Sequence, residues 1–296
     1  MRIIPIGEMI AADIQDANLS QPLDDVSIAA ITKAWNENLV LRFRSQHLSD
    51  ADLIRFSSYF GELDPPGPNP YGVTFLPEFP EINVISNVKD DTGVPIGNLG
   101  DGEAVWHADM TYIDNPPEAG ILYALEVPVG QGDTYFANMV AAYNDLPSDL
   151  RVAIEGKTLI HDAAHNSAGM LRKGYEEITD IKLTPGARHP LAYEDQHGRV
   201  SLFLGRRPHA YIVGMEESDS DSLLDALWAH ATRPKYSWHN EWQKGDLVMW
   251  QNRMVMHRRD AFDPSTRRVM HRTQLKGKSP IAVSYTHLTL PTKVEV

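Results

Sequence analysis

His107 and Asp109 stand one residue apart in the run Ala104-Val105-Trp106-His107-Ala108-Asp109. In a β-strand, residues i and i+2 project from the same face, so an imidazole and a carboxylate would lie side by side. That pair is two-thirds of a metal site. Two histidines and one carboxylate on one face of a metal, with the remaining positions open, form the binding set of oxygen-activating Fe(II) enzymes. Zinc accepts the same ligand types, so the pair alone leaves a metal-dependent hydrolase open. A third ligand is required, and the chain has 12 histidines to draw on. His161, His165, His189, His197, His209, His230 and His239 show no local partner pattern and read as surface or structural residues. His257 differs. It closes the run Trp250-Gln251-Asn252-Arg253-Met254-Val255-Met256, and Arg268 and Arg272 follow it by eleven and fifteen residues.

The elements that must position these residues read mainly as β. The spacing of Ile28, Ile31 and Trp35 predicts an amphipathic helix from Asp24 to about Asn38. A second helix begins at Leu48-Ser49-Asp50, with Ser49 or Asp50 as its N-cap, and ends near Gly61. Apolar runs predict strands at 39–43, 81–88, 201–204, 246–250 and 269–275. A connecting helix is expected over 141–156, and another over 217–231 with Leu223, Leu224, Leu227 and Trp228 on its buried side. The Gly- and Asp-rich loop 89–103 runs directly into the His107 strand and reads as a lid. Residues 161–188 lack clear periodicity and read as an insertion. Many short strands with few helices suggest a double-stranded β-helix, or jelly roll, with helical decoration. Residues 1–280 are read as one domain. Residues 281–296 do not fit the pattern and are read as a non-native tail, excluded from functional reasoning.

Composition narrows the function classes. The 296-residue chain has 42% hydrophobic residues, enough for a sizeable soluble core, and no apolar run of bilayer-spanning length. With no cysteine, disulfides, thiolate metal sites and cysteine nucleophiles are excluded, and a cytoplasmic location is expected. A formal net charge of −13 argues against broad nucleic-acid or anionic-membrane binding. Against that acidity, Arg258, Arg259, Arg267, Arg268 and Arg272 crowd one short segment that could take a small anion.

The ordered set His107-Ala108-Asp109, His257, then Arg268 and Arg272 resembles the Fe(II)/2-oxoglutarate-dependent dioxygenases of the taurine dioxygenase and 2,4-dichlorophenoxyacetate dioxygenase group. The likeness covers most of residues 3–277, including Gly61-Glu62-Leu63, Gly132-Asp133-Thr134, Gly245-Asp246-Leu247-Val248-Met249-Trp250 and Asn252-Arg253. It implies that His107, Asp109 and His257 hold Fe(II), and that Thr134 and Arg268 hold the distal carboxylate of 2-oxoglutarate. A guanidinium can pair bidentately with that carboxylate while a hydroxyl adds another bond. By the same resemblance, Arg272 grips an acidic group of the primary substrate, and Tyr112 and Phe203 are candidate pocket walls. The implied reaction consumes O2, converts 2-oxoglutarate to succinate and CO2, and hydroxylates a small anionic organic molecule. Related halogenases lack the carboxylate, so Asp109 points to hydroxylation. Desaturation or cyclisation would use the same residues, and a non-catalytic jelly-roll binding protein would be expected to have lost a metal ligand. A homo-oligomer is also implied. Two departures stand out. Gln251 occupies a position usually held by aspartate. The run Asp64-Pro65-Pro66-Gly67 lacks the histidine that taurine enzymes place after Gly-Glu-Leu, so taurine is not the expected substrate.

Overall fold

The computed structural model describes residues 1–67, 69, 71–102 and 104–278, so the 281–296 tail lies outside the described residues. Two facing sheets dominate. The larger has eight strands in the order Arg2–Pro5, Ala12–Gln15, Val40–Phe43, Leu247–Gln251, Ala119–Glu126, Val269–Leu275, Asn83–Ser86 and Asn98–Leu99. The smaller has four, in the order Ser237–Asn240, Thr134–Asn138, Val255–Arg259 and Ala104–His107. Pairing is antiparallel except between Ala12–Gln15 and Val40–Phe43 and between Asn83–Ser86 and Asn98–Leu99, which run parallel. The arrangement is the expected jelly roll.

Side-chain alternation explains why the central strands read as unbroken apolar runs. In Leu247–Gln251, Val248 and Trp250 point between the sheets, while Leu247 and Met249 point to the helices outside. Between the sheets, Leu122, Val248, Trp250 and Met270 meet Phe136 and Val255 of the smaller sheet. The helices Asp25–Asn38 and Asp50–Ser58 cover the outer face of the larger sheet through Ile31, Trp35, Leu53 and Phe56. Their N-caps are Asp24, bonded to the Ser27 amide, and Ser49, which forms a capping box with Asp52. Both sides of a strand are therefore buried, which needs apolar residues at odd and even positions alike.

The helix Glu217–Ala231 packs behind the smaller sheet, with Leu224 and Leu227 fully buried and Leu223 and Trp228 half-buried. The single helix expected over 141–156 is instead two, Met139–Asn144 and Ser148–Ile154. Pro147 separates them, because its ring and missing N–H interrupt a continuing helix. Residues 161–166 are all buried, so the 161–188 segment begins inside the protein and forms part of its core.

Gly120 is the cross-strand partner of Trp250 in the larger sheet, and a Cβ there would come within 2.3 Å of the Trp250 ring. Trp250 in turn stacks 4.9 Å from His257, centroid to centroid. Gly120→Ala should destabilise the protein by about 1–3 kcal/mol through overpacking. Urea unfolding reads this as a lower midpoint at unchanged slope; a wild-type midpoint would show that the Trp250 ring yields freely.

Candidate metal centre and substrate cavity

Strand register builds the centre. His257 is the antiparallel partner of His107 on one side and of Phe136 on the other. The two imidazole centroids are 4.2 Å apart. Asp109 completes the set, with one carboxylate oxygen 3.6 Å from His107 Nε2 and the other 3.8 Å from His257 Nε2. One ligand atom from each of the three lies within 4.8 Å of the others.

Asp109 does not reach this position by strand alternation. The strand ends at His107, and Asp109 belongs to the turn that follows. The fully buried Asn252 side chain holds it there. Its Oδ1 accepts from the Asp109 amide at 2.7 Å, and its Nδ2 donates to the Asp109 and Pro117 carbonyls at 2.9 and 3.0 Å.

The donor set suits a metal. His107 Nδ1 donates to the Val105 carbonyl at 2.7 Å, which fixes the tautomer and leaves the Nε2 lone pair toward Asp109. Burial, helped by the neighbouring His107, pushes the His257 pKa down to about 3 despite Asp109. The ring is therefore neutral and able to ligate at neutral pH. Since folding depresses this pKa from 6.5, its contribution to stability is intact above pH 6.5 and is lost as the pH falls toward 3. Burial alone would raise the Asp109 carboxyl, but Arg272, His257 and His107 outweigh it and hold the group well below the usual carboxylate range. Arg272 Nη1 donates to Asp109 Oδ1 at 2.9 Å.

Behind the histidines a small cavity is lined by Thr134, Arg259, Arg268 and Arg272 along with His107 and His257. The Arg268 guanidinium is buried, has no carboxylate partner among the described residues, and leaves Nε without a hydrogen bond. Burial, reinforced by the charge of Arg259, pushes its pKa well below the ordinary arginine value. Thr134 Oγ1 accepts from Trp242 Nε1 at 2.9 Å, so its own proton is free to donate. An unpaired buried cation beside a free hydroxyl is costly unless an anion fills the space. The cavity therefore fits a carboxylate.

A second cavity opens on the other side of Asp109, lined by Tyr112 and Arg272 together with Asn83, Asp162, His165 and Arg172. Of the residues singled out from the sequence, His107, Asp109, His257, Thr134, Arg268, Arg272 and Tyr112 all border one of these two cavities. Phe203 does not. It is buried, with its ring packed against His161, His189 and Tyr193.

Several residues here carried little sequence signal. Arg259, partly sensed in the basic cluster, donates to the carbonyls of Leu99, Gly100 and Gly102, tying the 89–103 loop to the smaller sheet. Asp162 and His165 form a pair at 2.9 Å, and Arg206 also bonds Asp162. Their three-residue spacing was a possible signal. Asp162, His165 and His209 also bring ligand-type atoms within 4.8 Å, but the Arg206 charge on Asp162 opposes a cation there.

Residues 2–274 match the family model described as "Taurine catabolism dioxygenase TauD, TfdA family". The chain is 31% identical over 289 residues to pentalenolactone F synthase of Streptomyces avermitilis, covering 90% of each chain. It is 30% identical to the alpha-ketoglutarate-dependent 2,4-dichlorophenoxyacetate dioxygenase of Cupriavidus pinatubonensis, covering 90% of this chain and 95% of that one. The crystal structure of AAD-2 in complex with Mn(II) and N-oxalylglycine superposes with a TM-score of 0.76 at 27% identity, covering 95% of this chain and 99% of that one.

The Asn252 clamp gives a direct test. Asn252→Ala should weaken Mn(II) binding about 10- to 100-fold by freeing the Asp109 backbone. Titration of free Mn(II) by electron paramagnetic resonance would report it, and wild-type affinity would show that the turn holds Asp109 unaided.

Proposed function

The chain belongs to the taurine catabolism dioxygenase TauD, TfdA family, and we propose that its two cavities divide the reaction of an Fe(II)- and 2-oxoglutarate-dependent dioxygenase between them. The protein is an oxidoreductase of that class, using Fe(II), 2-oxoglutarate and O2. Proposed here are the residue roles and the substrate class. His107, Asp109 and His257 hold Fe(II); Thr134 and Arg268 hold the distal carboxylate of 2-oxoglutarate. The observation that carries this is the unpaired, buried Arg268 guanidinium beside the free Thr134 hydroxyl in a cavity that the histidines also line. A hydrolase would have no use for such an anion hole beside its metal.

Bound Fe(II) supplies the centre at which 2-oxoglutarate and O2 react and a substrate C–H bond is oxidised. The protein groups orient the reactants. Arg268 and Thr134 fix one end of 2-oxoglutarate, so that its keto-acid end points toward the ligand set. Asn252 and Arg272 hold the Asp109 carboxylate in one direction. Tyr112 and Arg272 border the second cavity, where the organic substrate would sit.

A small organic anion is the substrate class that this reading favours. The 2,4-dichlorophenoxyacetate enzyme is named for an anionic substrate, and the second cavity holds several arginines. Hydroxylation is the expected outcome, as Asp109 is retained. The Pro65–Gly67 stretch brings Gly67, without a donor side chain, to the cavity wall, in keeping with a substrate other than taurine. No described helix is long and apolar enough to cross a membrane. The cysteine-free composition and the family resemblance support a cytoplasmic homo-oligomer.

Succinate formation should require Fe(II), O2 and 2-oxoglutarate together. Asp109→Ala should abolish both tight Fe(II) binding and turnover; wild-type values in that variant would remove Asp109 from the ligand set. Arg268→Ala should raise the KM for 2-oxoglutarate about 30-fold or more, since truncating one member of a buried charge pair costs about 2–5 kcal/mol. Arg272→Ala should raise the KM of the organic substrate far more than that of 2-oxoglutarate; an unchanged substrate KM would reduce Arg272 to its ion pair with Asp109.

A further inference from the structure

The charged groups of the second cavity pair off unevenly. Arg272 is engaged by Asp109 and Arg206 by Asp162, with a further bond from Arg206 to the His165 carbonyl. His165 lies between Asp162 and Glu177. Arg172 remains, with no carboxylate partner among the described residues, although it lines the same cavity as Asp109.

Arg172 is nevertheless held firmly. Its backbone amide donates to Ala164 O at 2.7 Å, and its Nη1 donates to Ala163 O at 2.7 Å. Its guanidinium carbon sits 4.0 Å from the centre of the Tyr112 ring. A guanidinium has five N–H donors, and the Ala163 carbonyl is its one side-chain hydrogen-bond partner among the described residues. Its place over the ring and its bond to the Ala163 carbonyl restrain the guanidinium, so less rotamer entropy remains to be lost on binding. The Tyr112 hydroxyl, whose pKa burial raises, feels the opposing fields of both Arg172 and Arg272. Arg172, Arg272 and the Tyr112 phenol thus line one cavity with the Asp109 carboxylate.

We propose that Arg172, seated on Tyr112, is the specificity-determining residue that grips the oxyanion of the organic substrate, a carboxylate or sulfate group. Arg272, tied to Asp109, plays the lesser part in that grip. The assignment rests on the dioxygenase reading for the identity of the cavity as the substrate site. It also gives the 161–188 segment a function: the turn after its buried start delivers the cation.

The test is equilibrium binding to protein loaded with Mn(II) and N-oxalylglycine. The probes are hexanoate and hexyl sulfate, compared with uncharged 1-hexanol. Wild type should bind at least one anion more tightly than the alcohol. Arg172→Ala should weaken that anion about 30-fold, the scale of charge-assisted hydrogen bonds, and the alcohol less than twofold. Arg172→Lys should fall between, because a point charge replaces the planar fork. If Arg172→Ala loses the alcohol as well, Arg172→Lys decides: weakened anion with retained alcohol supports the assignment, and unchanged anion binding overturns it. Equal anion affinity in wild type and Arg172→Ala, or no preference for either anion in wild type, also overturns it. No turnover is involved, so a wild-type protein that releases no succinate would sink the dioxygenase reading while leaving the binding result to be judged alone.

Discussion

The register between two strands of the smaller sheet is the constraint on which the rest depends. His257 lies directly across from His107, and neither strand could slip by one residue without turning one imidazole to the opposite face. The register is secured by what lies on either side. Phe136, the other neighbour of His257, is buried between the sheets with Trp250 and Val255, while Ala137 and Met256 on the reverse face pack against the helical layer. Both faces are thus committed. The ligand pair is an outcome of core packing, and local flexibility cannot separate it without opening the sandwich.

Around that pair, burial and charge act against each other. Burial keeps His257 neutral and able to ligate, but it also makes the unpaired Arg268 expensive. The protein tolerates the second effect because the space beside Arg268 fits an anion. Arg259 adds a further buried cation, with a pKa pushed down to about 10 by burial, and its Nη1 and Nη2 donate to loop carbonyls while Nε has no partner. On the far side of Asp109 the acids and arginines largely cancel in pairs, which leaves Arg172 exposed to the cavity's contents. Electrostatic imbalance, more than shape, separates the co-substrate side from the substrate side.

How much of this was legible depended on whether the signal was local. The helices 25–38, 50–58 and 217–231 follow from apolar spacing and caps that act within a few residues. The break at Pro147 was legible in principle, though the surrounding apolar residues suggested one helix. The segment 161–188 gave no periodicity because its residues are buried by tertiary contacts of a loop, which impose no repeat. Phe203 is expected in a strand, yet the strand ends at Leu202 and the Phe203 ring packs against His161 and His189, bordering neither cavity. Arg172 carries no sequence signal: it has no carboxylate partner among the described residues, and a sequence does not show which charges meet.

The amino-acid sequence by itself determined the ligand types, their order and the jelly-roll class, because residue chemistry and strand alternation are properties of short stretches. It also placed His107, Asp109, His257 and Arg268 in one chemical scheme through their ordered resemblance to a family. Only the tertiary structure decided how Asp109 faces the histidines. The strand stops at His107, and the side chain of Asn252, 143 residues away in sequence, turns the carboxylate by hydrogen bonds to its backbone. Only the tertiary structure, likewise, decided which arginines are neutralised, since an ion pair is set by distance in space and by shared burial, neither of which is fixed by separation along the chain.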